Sequence, residues 1–538
     1  MPTELQPVAG MSPTELLDAR VASQGNQTCL IEQGRSISWA EVDRASRAVA
    51  AGLAAQGVRP GDRVAIWMPN RSAWLFAFFA CAQLGAIAVS VNTRFRSVEV
   101  ADLLYRSGSK LLIYWPGYKD IDFAGILAQC PAESLASLQA LVLYTEEEGV
   151  LPREVVGRPV LAWSDLIDSA PLARCDGRAD SPCVIFTTSG TTRAPKLVVH
   201  SQRNVVLHAR NVSRQYGLGR DDCFLLLPPF CGVYGFCSAM TAMFATTPLI
   251  LEPTWNAALF ADLIDQYGVT HLAASNDAVT QLLAVRAERA PAYPGIKFIV
   301  SANINPAHAD VPSRAAQRGV EVLGLYGSSE LQALLSLCDR DGNPERRGRA
   351  GGQLASPLGK VRARDPETGA VCPHGQSGEL EFNVPENCFV EYFNDPEATR
   401  AAMADDAYFR TGDLGFTEAD GSFTYLGRMG DTLRLGGFLV APAEIEHVIQ
   451  DHPDVEACQL VGALTKDSLK PVAFIRVRAG AHVTEAQIQA YTAGHLAKYK
   501  VPARVIVVEE YPTTPSANGF KVQKNKLREM AEALFAAA

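Results

Sequence analysis

Short apolar runs alternate with amphipathic segments along most of the chain. Residues 63–67, 110–114, 183–186 and 247–252 read RVAIW, KLLIY, CVIF and TPLILE, and runs of this kind are typical of buried strands. Helical spacing of apolar positions lies between them, as in SVEVADLLYRSG at residues 97–108. The alternation predicts an α/β protein with a largely parallel sheet.

The pattern changes after about residue 350. Short strands with Gly and Asp turns follow, as in TGDLGFTEADGSFTYLGR, and they predict a β-rich end to a large domain. Beyond residue 429, the helix-like APAEIEHVIQDH mixes with the strand-like ACQLVGAL and PVAFIRVR. We therefore expect a multi-sheet N-terminal domain over residues 1–429 and a small α+β domain over residues 430–538.

The length of the chain supports this division, because 538 residues exceed what one hydrophobic core usually organises. Two apolar stretches, residues 73–91 and 236–251, are similar to membrane spans. The first contains Gln83 and Gly85, and the second is short and broken by Thr and Pro. Each predicts a buried helix followed by a buried strand, and no transmembrane segment is expected.

The net charge and the spacing of the cysteines argue against several classes of protein. A net charge of -9 without clusters of Lys and Arg argues against a nucleic-acid surface. The 12 cysteines form no CxxC pair, and the spacing of Cys231 and Cys237 fits neither a zinc site nor a redox motif, which indicates reduced thiols. The N-terminus has acidic residues and no apolar signal segment, and the terminal AAA is not a peroxisomal signal. These features favour a cytoplasmic protein.

The segment CVIFTTSGTTRAPKLVVHSQRNV, residues 183–205, carries the strongest chemical signal. A buried strand runs into a loop of small hydroxyl residues with Gly190 and a single Lys196. Backbone N–H groups and hydroxyls in such a loop can encircle phosphate oxygens while the lysine neutralises charge. The segment does not fit the Walker A pattern. Taken alone, its composition is also that of an ordinary surface loop.

Two further segments add carboxylates, an aromatic ring and an arginine. In GLYGSSELQ, Glu330 is suited to Mg²⁺ and Tyr326 to contact with a purine. In YFRTGDLG we expect a tight turn from which Asp413 accepts ribose hydroxyls. Arg428 supplies a planar fork for phosphate or for a pair between domains. Taken alone, Glu330 also fits a surface residue after a turn, and Asp413 also fits an Asx-turn.

A cationic segment, YPTTPSANGFKVQKNKLRE, lies near the C-terminus. Lys521 follows Asn-Gly and precedes Lys524, Lys526 and Arg528. Such a run is usually a solvated face. One lysine on a mobile loop can instead stabilise charge on a carboxylate, an α-phosphate or a leaving pyrophosphate.

In order and spacing, these segments resemble the adenylate-forming superfamily of acyl- and aryl-CoA synthetases, amino-acid adenylation domains and firefly-type luciferases. TTSGTTRAPK is similar to the family's TSGTTGxPKG, YGSSE to YGxTE, and GFKVQK to GK-x-x-K. TGD and GR-x-x-D-x-x-x-x-GG match as well, so the resemblance covers almost the whole chain. It implies that a carboxylate attacks ATP to give acyl-AMP and pyrophosphate, and that a thiol then attacks the acyl carbon. It also implies a mobile small domain that swings between the two steps.

The resemblance assigns site residues by position. Phosphate contacts are implied for Thr188, Ser189, Gly190, Thr191, Thr192 and Lys196. Further nucleotide contacts are implied for Ser301, Ala302, Asn303, Tyr326, Gly327, Ser329 and Asp413. Mg²⁺ is implied near Thr188 and Glu330, and catalytic roles for Lys521, Glu330 and Arg428, with Lys524 as the reserve for Lys521. Gly430 is implied as the hinge, and Gly436, Gly437 and Phe438 as the coenzyme A contact.

Five substitutions and one inserted residue, Phe520 between Gly519 and Lys521, depart from the family pattern. Arg193 and Leu197 stand where the family has glycine, which predicts strain on the order of 1 kcal/mol wherever the backbone needs a positive φ. Ser329 replaces the usual Thr, and Gly430 replaces Asp or Lys. Cys231 stands where many members have His, and we expect a buried spectator because the mechanism needs no protein nucleophile.

An apolar acyl pocket is expected. Its predicted walls are Phe230, Cys231, Val233, Tyr234, Gly235, Phe236, Gly324 and Leu331. Residues 228–240 contain no Asp to meet an ammonium group, so a fatty, alicyclic or aromatic acid is favoured over an amino acid.

Coenzyme A is the favoured acceptor of the acyl group. The alternatives are loading of a carrier protein in trans, luciferase-like oxidation of the adenylate, and a catalytically weak nucleotide-binding protein. Arg193 and Leu197 motivate the last alternative, and the retention of the charged site residues argues against it. A homodimer is left open.

Overall fold

A computed structural model describes residues 10–146, 150–188, 195–302, 310–429, 433–435, 438–440, 442–465, 469–496, 498–516 and 519–536. Its helices are α1 Pro13–Gln24, α2 Trp39–Ala55, α3 Ser72–Leu84, α4 Ser97–Ser107, α5 Phe123–Ala128, α6 Trp163–Ile167, α7 Gln202–Tyr216, α8 Val233–Phe244, α9 Ala257–Tyr267, α10 Asn276–Val285, α11 Val311–Gln317, α12 Pro344–Arg347, α13 Pro396–Ala402, α14 Pro442–Gln450, α15 Glu485–His495 and α16 Lys524–Ala536.

The strands of the first half of the chain are β1 Thr28–Glu32, β2 Arg35–Ser38, β3 Arg63–Trp67, β4 Ile87–Ser90, β5 Leu111–Tyr114, β6 Ala140–Leu143, β7 Glu154–Val155, β8 Arg158–Ala162, β9 Pro182–Thr187, β10 Leu197–Ser201, β11 Phe224–Leu226 and β12 Leu249–Leu251. Those of the second half are β13 His271–Ser275, β14 Phe298–Ala302, β15 Val322–Tyr326, β16 Ser336–Leu337, β17 Gly351–Leu354, β18 Lys360–Arg364, β19 Gly378–Asn383, β20 Glu391–Tyr392, β21 Phe409–Thr417, β22 Phe423–Arg428, β23 Leu433–Leu435, β24 Phe438–Val440, β25 Val455–Leu464, β26 Leu469–Val477, β27 Arg504–Val507, β28 Thr513–Ser516 and β29 Gly519–Val522.

Two large sheets form the frame of the N-terminal part. Within the described ranges, the first sheet has 9 strands in the order β20-β10-β9-β4-β3-β5-β6-β8-β7. The second has 13 strands in the order β18-β19-β21-β22-β17-β16-β15-β14-β13-β11-β12-β1-β2. Strands β15, β14, β13, β11, β12 and β1 are parallel, and the strands from β16 to β18 continue the sheet in antiparallel pairing. The expected β-rich end is therefore joined to the parallel sheet.

Alternating strand residues divide the core into layers. In β3, Val64 and Ile66 face a central cluster, whereas Ala65 and Trp67 face an outer one. In the same way β14 directs Val300 into the central cluster and Ile299 outward. Helices α2, α3, α7 and α8 contribute to the central cluster, so a helical layer lies between the two sheets. This alternation is the period-2 pattern of strands that are covered on both faces.

The sequence patterns locate these elements well. All five residues of RVAIW form β3, and the membrane-like stretches become α3 followed by β4 and α8 followed by β12. Every residue of α3 is buried. Among the described residues, no helix combines the length and the apolar character that a membrane crossing needs.

The C-terminal part has sheets of its own. Strands β25, β26 and β27 form a sheet, and β23–β24 and β28–β29 form two-stranded ribbons. Helices α14 and α16 pack against β25. The architecture is thus the predicted one, a large multi-sheet α/β domain with a β-rich end followed by a small α+β domain.

Candidate active site

A buried carboxylate, a phenol and a guanidinium meet on the second sheet. Asp413 on β21 is 3% exposed, and its Oδ2 accepts a hydrogen bond of 2.5 Å from the hydroxyl of Tyr326 on β15. Its Oδ1 lies 3.1 Å from Nε of Arg428, the residue opposite Asp413 on β22. Arg428 also donates to the carbonyl of Thr411 at 2.9 Å. Pairing of β21 with β22 therefore fixes both ends of this ion pair.

Burial raises the pKa of Asp413 to about 6, although Arg428 and the Tyr326 hydrogen bond both act in the opposite direction. The charged form is disfavoured because little solvent reaches the carboxylate. This site therefore holds an acceptor that further donors, such as ribose hydroxyls, would stabilise.

The expected tight turn at Asp413 is wrong. Asp413 lies inside β21, where Gly412 has a φ of +68° and Asp413 N donates to Thr411 Oγ1 at 3.0 Å. A local kink in a strand produces the Gly-flanked signature that the sequence suggested as a turn.

Tyr326 is only 5% exposed. Its ring stacks on Phe382 with centroids 5.5 Å apart and meets the edge of Phe423 at 5.3 Å. The structure gives Tyr326 a clear role as the support of Asp413. Its predicted contact with a purine stays a prediction.

Tyr392 links the two charged residues of the predicted phosphate site. Its hydroxyl donates to Glu330 Oε1 at 2.8 Å, and Nζ of Lys196 lies 4.2 Å from the centroid of its ring. The link exists because β20 pairs with β10, which places Tyr392 opposite Val198. A lysine and a carboxylate from distant segments are thereby held around one aromatic ring.

The two ends of the predicted phosphate loop are joined. Thr188 N donates to the carbonyl of Lys196 at 3.0 Å, and Lys196 N donates to Thr188 Oγ1 at 3.0 Å. Residues 189–194 lie outside the described residues, so the calls on Ser189, Gly190, Thr191, Thr192 and Arg193 fall there. What the structure shows is a loop base closed by two hydrogen bonds.

Leu197 shows none of the strain that its glycine position suggested. It begins β10, pairs with Thr187 on β9, and its φ is not positive. Its side chain is 1% exposed in the outer cluster of the first sheet. An extended backbone accepts leucine as readily as glycine.

Tyr234 crosses the central layer toward the carboxyl ends of two parallel strands. It lies in the first turn of α8, and its hydroxyl donates to the carbonyl of Val300 at 2.8 Å and approaches that of Ala274 at 3.3 Å. These carbonyls belong to β14 and β13, at the edge of an α/β sheet where ligands usually bind. The phenol is thus tied to the backbone of the expected acyl pocket.

Aromatic packing holds the neighbouring wall. Phe230 is fully buried, and its ring centroid lies 5.2 Å from that of Trp74. Val233 is half-buried and packs on the same central cluster, and Phe236 lies inside it. Gly235 has no room for a side chain, since a Cβ would lie 2.3 Å from the carbonyl of Pro229.

Two residues that were predicted in the wall of the acyl pocket do not face the central cluster. A Cβ on Gly324 would lie 1.9 Å from the carbonyl of Arg349, and Leu331 packs with Val198 and Tyr326. Leu325, the strand neighbour of Gly324, points into the central cluster instead. The one-residue alternation of a strand explains why the sequence reading missed Leu325.

Cys231 lines a cavity of about 50 Å³ together with Tyr118, Glu252 and Trp255. It is 7% exposed, and burial raises the pKa of its thiol to about 11. A neutral thiol is a weak nucleophile at physiological pH. The expected spectator role fits this environment.

Comparisons with known proteins identify the family. Residues 17–392 match the AMP-binding enzyme family, and residues 444–518 match the C-terminal domain of AMP-binding enzymes. The chain belongs to the AMP-binding enzyme family.

Relatives and solved structures agree with the family. A putative acyl-CoA synthetase of Bacillus subtilis, YngI, is 28% identical over 97% of either chain. A feruloyl-CoA synthase of an Amycolatopsis species is 29% identical over 95% of this chain and 97% of its own. The ATP-bound structure of MatB from Rhodopseudomonas palustris superposes with a TM-score of 0.82 at 26% identity, covering 98% of this chain and 100% of its own.

These findings confirm the reaction class that the resemblance implied. The chain is an AMP-forming acid–thiol ligase, which activates a carboxylic acid with ATP and transfers the acyl group to coenzyme A.

Of the remaining predicted residues of this AMP-binding enzyme, some lie within the described residues and others lie outside them. Ser301 and Ala302 end β14, and within the described part of the chain the buried Ser301 hydroxyl has no hydrogen-bond partner. Gly327 is needed for close approach, since a Cβ would lie 2.5 Å from Ala333 Cα. Asn303, Gly430, Gly436 and Gly437 lie outside the described residues, as do the side chains of Phe438 and Lys521.

Sequence reasoning missed Tyr392, which contacts Glu330 and Lys196, and Leu325, which packs in the central cluster. The signal for Tyr392 would be the pairing of β20 with β10, which joins residues almost two hundred positions apart along the chain. A local pattern does not contain that pairing. For Leu325 the signal was present, because strand alternation assigns neighbouring residues to opposite faces.

Proposed function

We propose that this enzyme activates a compact apolar acid, alicyclic or aromatic, in preference to a long-chain fatty acid. The observation that carries the proposal is the hydrogen bond of 2.8 Å from the Tyr234 hydroxyl to the carbonyl of Val300. A ring that α8 holds at one end and this hydrogen bond holds at the other would close one side of the acyl space.

Two further features support a short pocket. Leu325 fills the central layer from β15, and Phe230 is held against Trp74. A buried apolar wall discriminates by size, with each methylene that does not fit costing about 1–3 kcal/mol of transition-state binding. The relative named feruloyl-CoA synthase, whose named acid carries an aromatic ring, also favours this class.

The nucleotide roles follow the charges on the second sheet and on β10. Asp413 would accept the ribose hydroxyls, while Arg428 holds its orientation. Lys196 would neutralise phosphate charge at the base of the loop that Thr188 begins. The side chains thereby position ATP and stabilise the charge that develops at the α-phosphate.

Glu330 and Thr188 fit a magnesium site. Glu330 is half-buried, and one of its carboxylate oxygens is oriented by Tyr392, while Thr188 adds a hydroxyl oxygen. Among the described residues no cluster of three or more metal-ligating side chains occurs, which is the pattern for Mg²⁺ held by one carboxylate and substrate phosphates. When bound, the ion would neutralise charge on the phosphates.

The C-terminal roles come from the sequence match. Lys521 is proposed as the adenylation lysine, and the boundary between the domains is proposed at residues 429 and 430, with Gly430 as hinge. The segment GGF at 436–438 is proposed to contact coenzyme A. A cytoplasmic location and a homodimer complete the proposal.

The test is pyrophosphate release with ATP and Mg²⁺ across acids of matched polarity, each with and without coenzyme A, with mass spectrometry of products. Benzoate and cyclohexanecarboxylate should give acyl-CoA at rates at least tenfold above those with dodecanoate and palmitate. Faster turnover of the long chains would contradict the proposed class. Acyl-AMP that accumulates despite coenzyme A would point to a carrier protein as acceptor.

Variants of Tyr234 test whether its side chain forms a wall of the acyl pocket. Tyr234→Ala should raise kcat/KM for an eight-carbon or ten-carbon acid relative to benzoate by about tenfold or more, because it opens the closed side. Tyr234→Phe is the matched control, since it keeps the ring and loses only the hydroxyl. An unchanged chain-length profile in Tyr234→Ala would remove Tyr234 from the pocket.

A further inference from the structure

The Glu330 loop, residues 328–334, adopts a left-handed turn between β15 and β16. Gln332, Ala333 and Leu334 have φ values of +60°, +42° and +36°. Non-glycine residues reach this region only at a cost in free energy, and three in succession need support from their surroundings. Ala333 N donates to the carbonyl of Ser328 at 2.8 Å, which closes the turn.

Successive carbonyls of the Glu330 loop are bonded by donors from other elements. The carbonyl of Glu330 accepts from Phe389 N at 2.7 Å, and that of Leu331 accepts from Asn387 Nδ2 at 2.9 Å. The carbonyl of Ser329, directly before Glu330, lies 2.7 Å from Nε2 of His200. A carbonyl only accepts, so His200 carries its proton on Nε2.

A second histidine faces the end of the loop. His208 on α7 is 2% exposed and lies beside the backbone of Gln332 and Ala333, and its Nε2 has no hydrogen-bond partner among the described residues. Burial lowers the pKa of His200 to about 4 and that of His208 to about 3. His200 is therefore neutral at physiological pH, and we call its hydrogen bond to the Ser329 carbonyl the histidine clamp.

The clamp is connected to the phosphate site through β10. Lys196, Val198 and His200 alternate along one face of the strand, where Lys196 lies over Tyr392 and Val198 packs on Tyr326. His200 thus reaches the Glu330 loop from the strand that begins directly after Lys196. The proposed reaction assigns no chemical step to either histidine.

We propose that His200 is a positioning residue for the adenylation step, which holds the Glu330 loop in its left-handed turn through the Ser329 carbonyl and so aims the Glu330 carboxylate. The inference rests on the proposed role of Glu330 at Mg²⁺. Without the imidazole donor, the Ser329 carbonyl loses its partner and the strained turn loses part of its support.

The experiment compares His200→Leu and His200→Gln with the exposed His374→Leu as control. Calorimetry measures ATP affinity with Mg²⁺ and with EDTA, and the two half-reactions are assayed separately, the second from supplied acyl-AMP. His200→Leu should lower the adenylation rate by about tenfold to a hundredfold and reduce the gain in ATP affinity that Mg²⁺ gives. Thioester formation should stay within about twofold, and His200→Gln, whose amide N–H replaces Nε2, should restore most of the loss.

Equal loss of rate in both half-reactions would overturn the inference, because it would show that His200 has only a structural role. A His200→Leu variant with the wild-type adenylation rate would overturn it as well. If the leucine variant does not fold, His200→Asn takes its place, because its amide is too short to reach the Ser329 carbonyl. Glu330→Gln separates the two proposals. If it keeps the full effect of Mg²⁺ on ATP affinity, the metal role of Glu330 falls and the clamp with it. If it loses that effect while His200→Leu keeps it, only the clamp is overturned.

Discussion

Burial opposes the charged form of Asp413. The pKa of its carboxyl rises from the ordinary value of 3.8 to about 6, so the folded protein binds more protons than the unfolded chain between these values. Linkage then makes the carboxyl favour folding below about pH 4 and lose that contribution as pH rises through 6. At neutral pH the carboxylate is ionised, and a hydrogen-bond donor on a bound ligand would stabilise its charge.

ATP affinity should therefore depend on pH through Asp413. Below about pH 6 the carboxyl of the free protein is protonated, and the dissociation constant for ATP should rise up to tenfold per pH unit. Calorimetry between pH 5 and 8 checks this expectation. Asp413→Asn should bind ATP weakly with a flat profile over the same range, and an unchanged affinity in that variant would contradict the ribose assignment.

β10 shows what a single strand contributes at the scale of an element. Its two faces contact different parts of the molecule, since Leu197 and Val199 pack in the outer cluster while Val198 packs with Tyr326 and His200 contacts the Ser329 carbonyl. Pairing with β9 on one side and β20 on the other holds the strand on both edges. The predicted phosphate loop therefore ends on a strand that is paired on both edges.

Restoring the family's glycine at position 197 should harm the protein. Leu197→Gly removes a buried side chain from the outer cluster and frees the strand backbone, and it should lower the free energy of unfolding by about 3–5 kcal/mol. Leu197→Val, which keeps most of the volume, should lose less than about 1.5 kcal/mol. Urea unfolding measures both, and a glycine variant as stable as the parent would show that the site does need a positive φ.

Elements were predictable from the sequence where their signal is local. The run RVAIW became β3, and the stretch read as buried helix and strand became α3 and β4, because apolar periodicity reflects burial directly. Tyr392 and the histidine clamp were not predictable, since they depend on strand pairing and on a left-handed turn formed by ordinary residues. The same holds for the hydrogen bond of Tyr234, which joins α8 to Val300 on β14.

At the scale of the whole molecule, one continuous sheet carries both parts of the proposed site. Strands β13 and β14 bear the carbonyls that bind Tyr234, and β21 and β22 bear Asp413 and Arg428 in the same 13-stranded sheet of the described residues. The strands after residue 432 pair in separate sheets. The proposed sites for acid and nucleotide thus share one sheet, and the C-terminal unit has sheets of its own.

Lys521 lies in this C-terminal unit, and its proposed role can be tested by measuring the two half-reactions separately. The backbone of Lys521 lies in β29 and pairs with Thr514. Lys521→Ala should lower the adenylation rate by a hundredfold or more and leave thioester formation from supplied acyl-AMP within about twofold, because the lysine is proposed to act in the first step alone. Lys526→Ala, at an exposed lysine of the same cationic segment, is the matched control. Equal loss of both half-reactions in Lys521→Ala would contradict the role.

The hydrogen bond from Tyr234 also limits how the acid specificity of this ligase can be redesigned. A smaller side chain creates room but leaves the carbonyls of Val300 and Ala274 without the donor that the phenol supplies. Water can take that place, and a wet wall suits an acid with a polar substituent better than a plain hydrocarbon. A wider pocket at this position would therefore be a more hydrophilic pocket, unless the replacement side chain brings an N–H or O–H of its own.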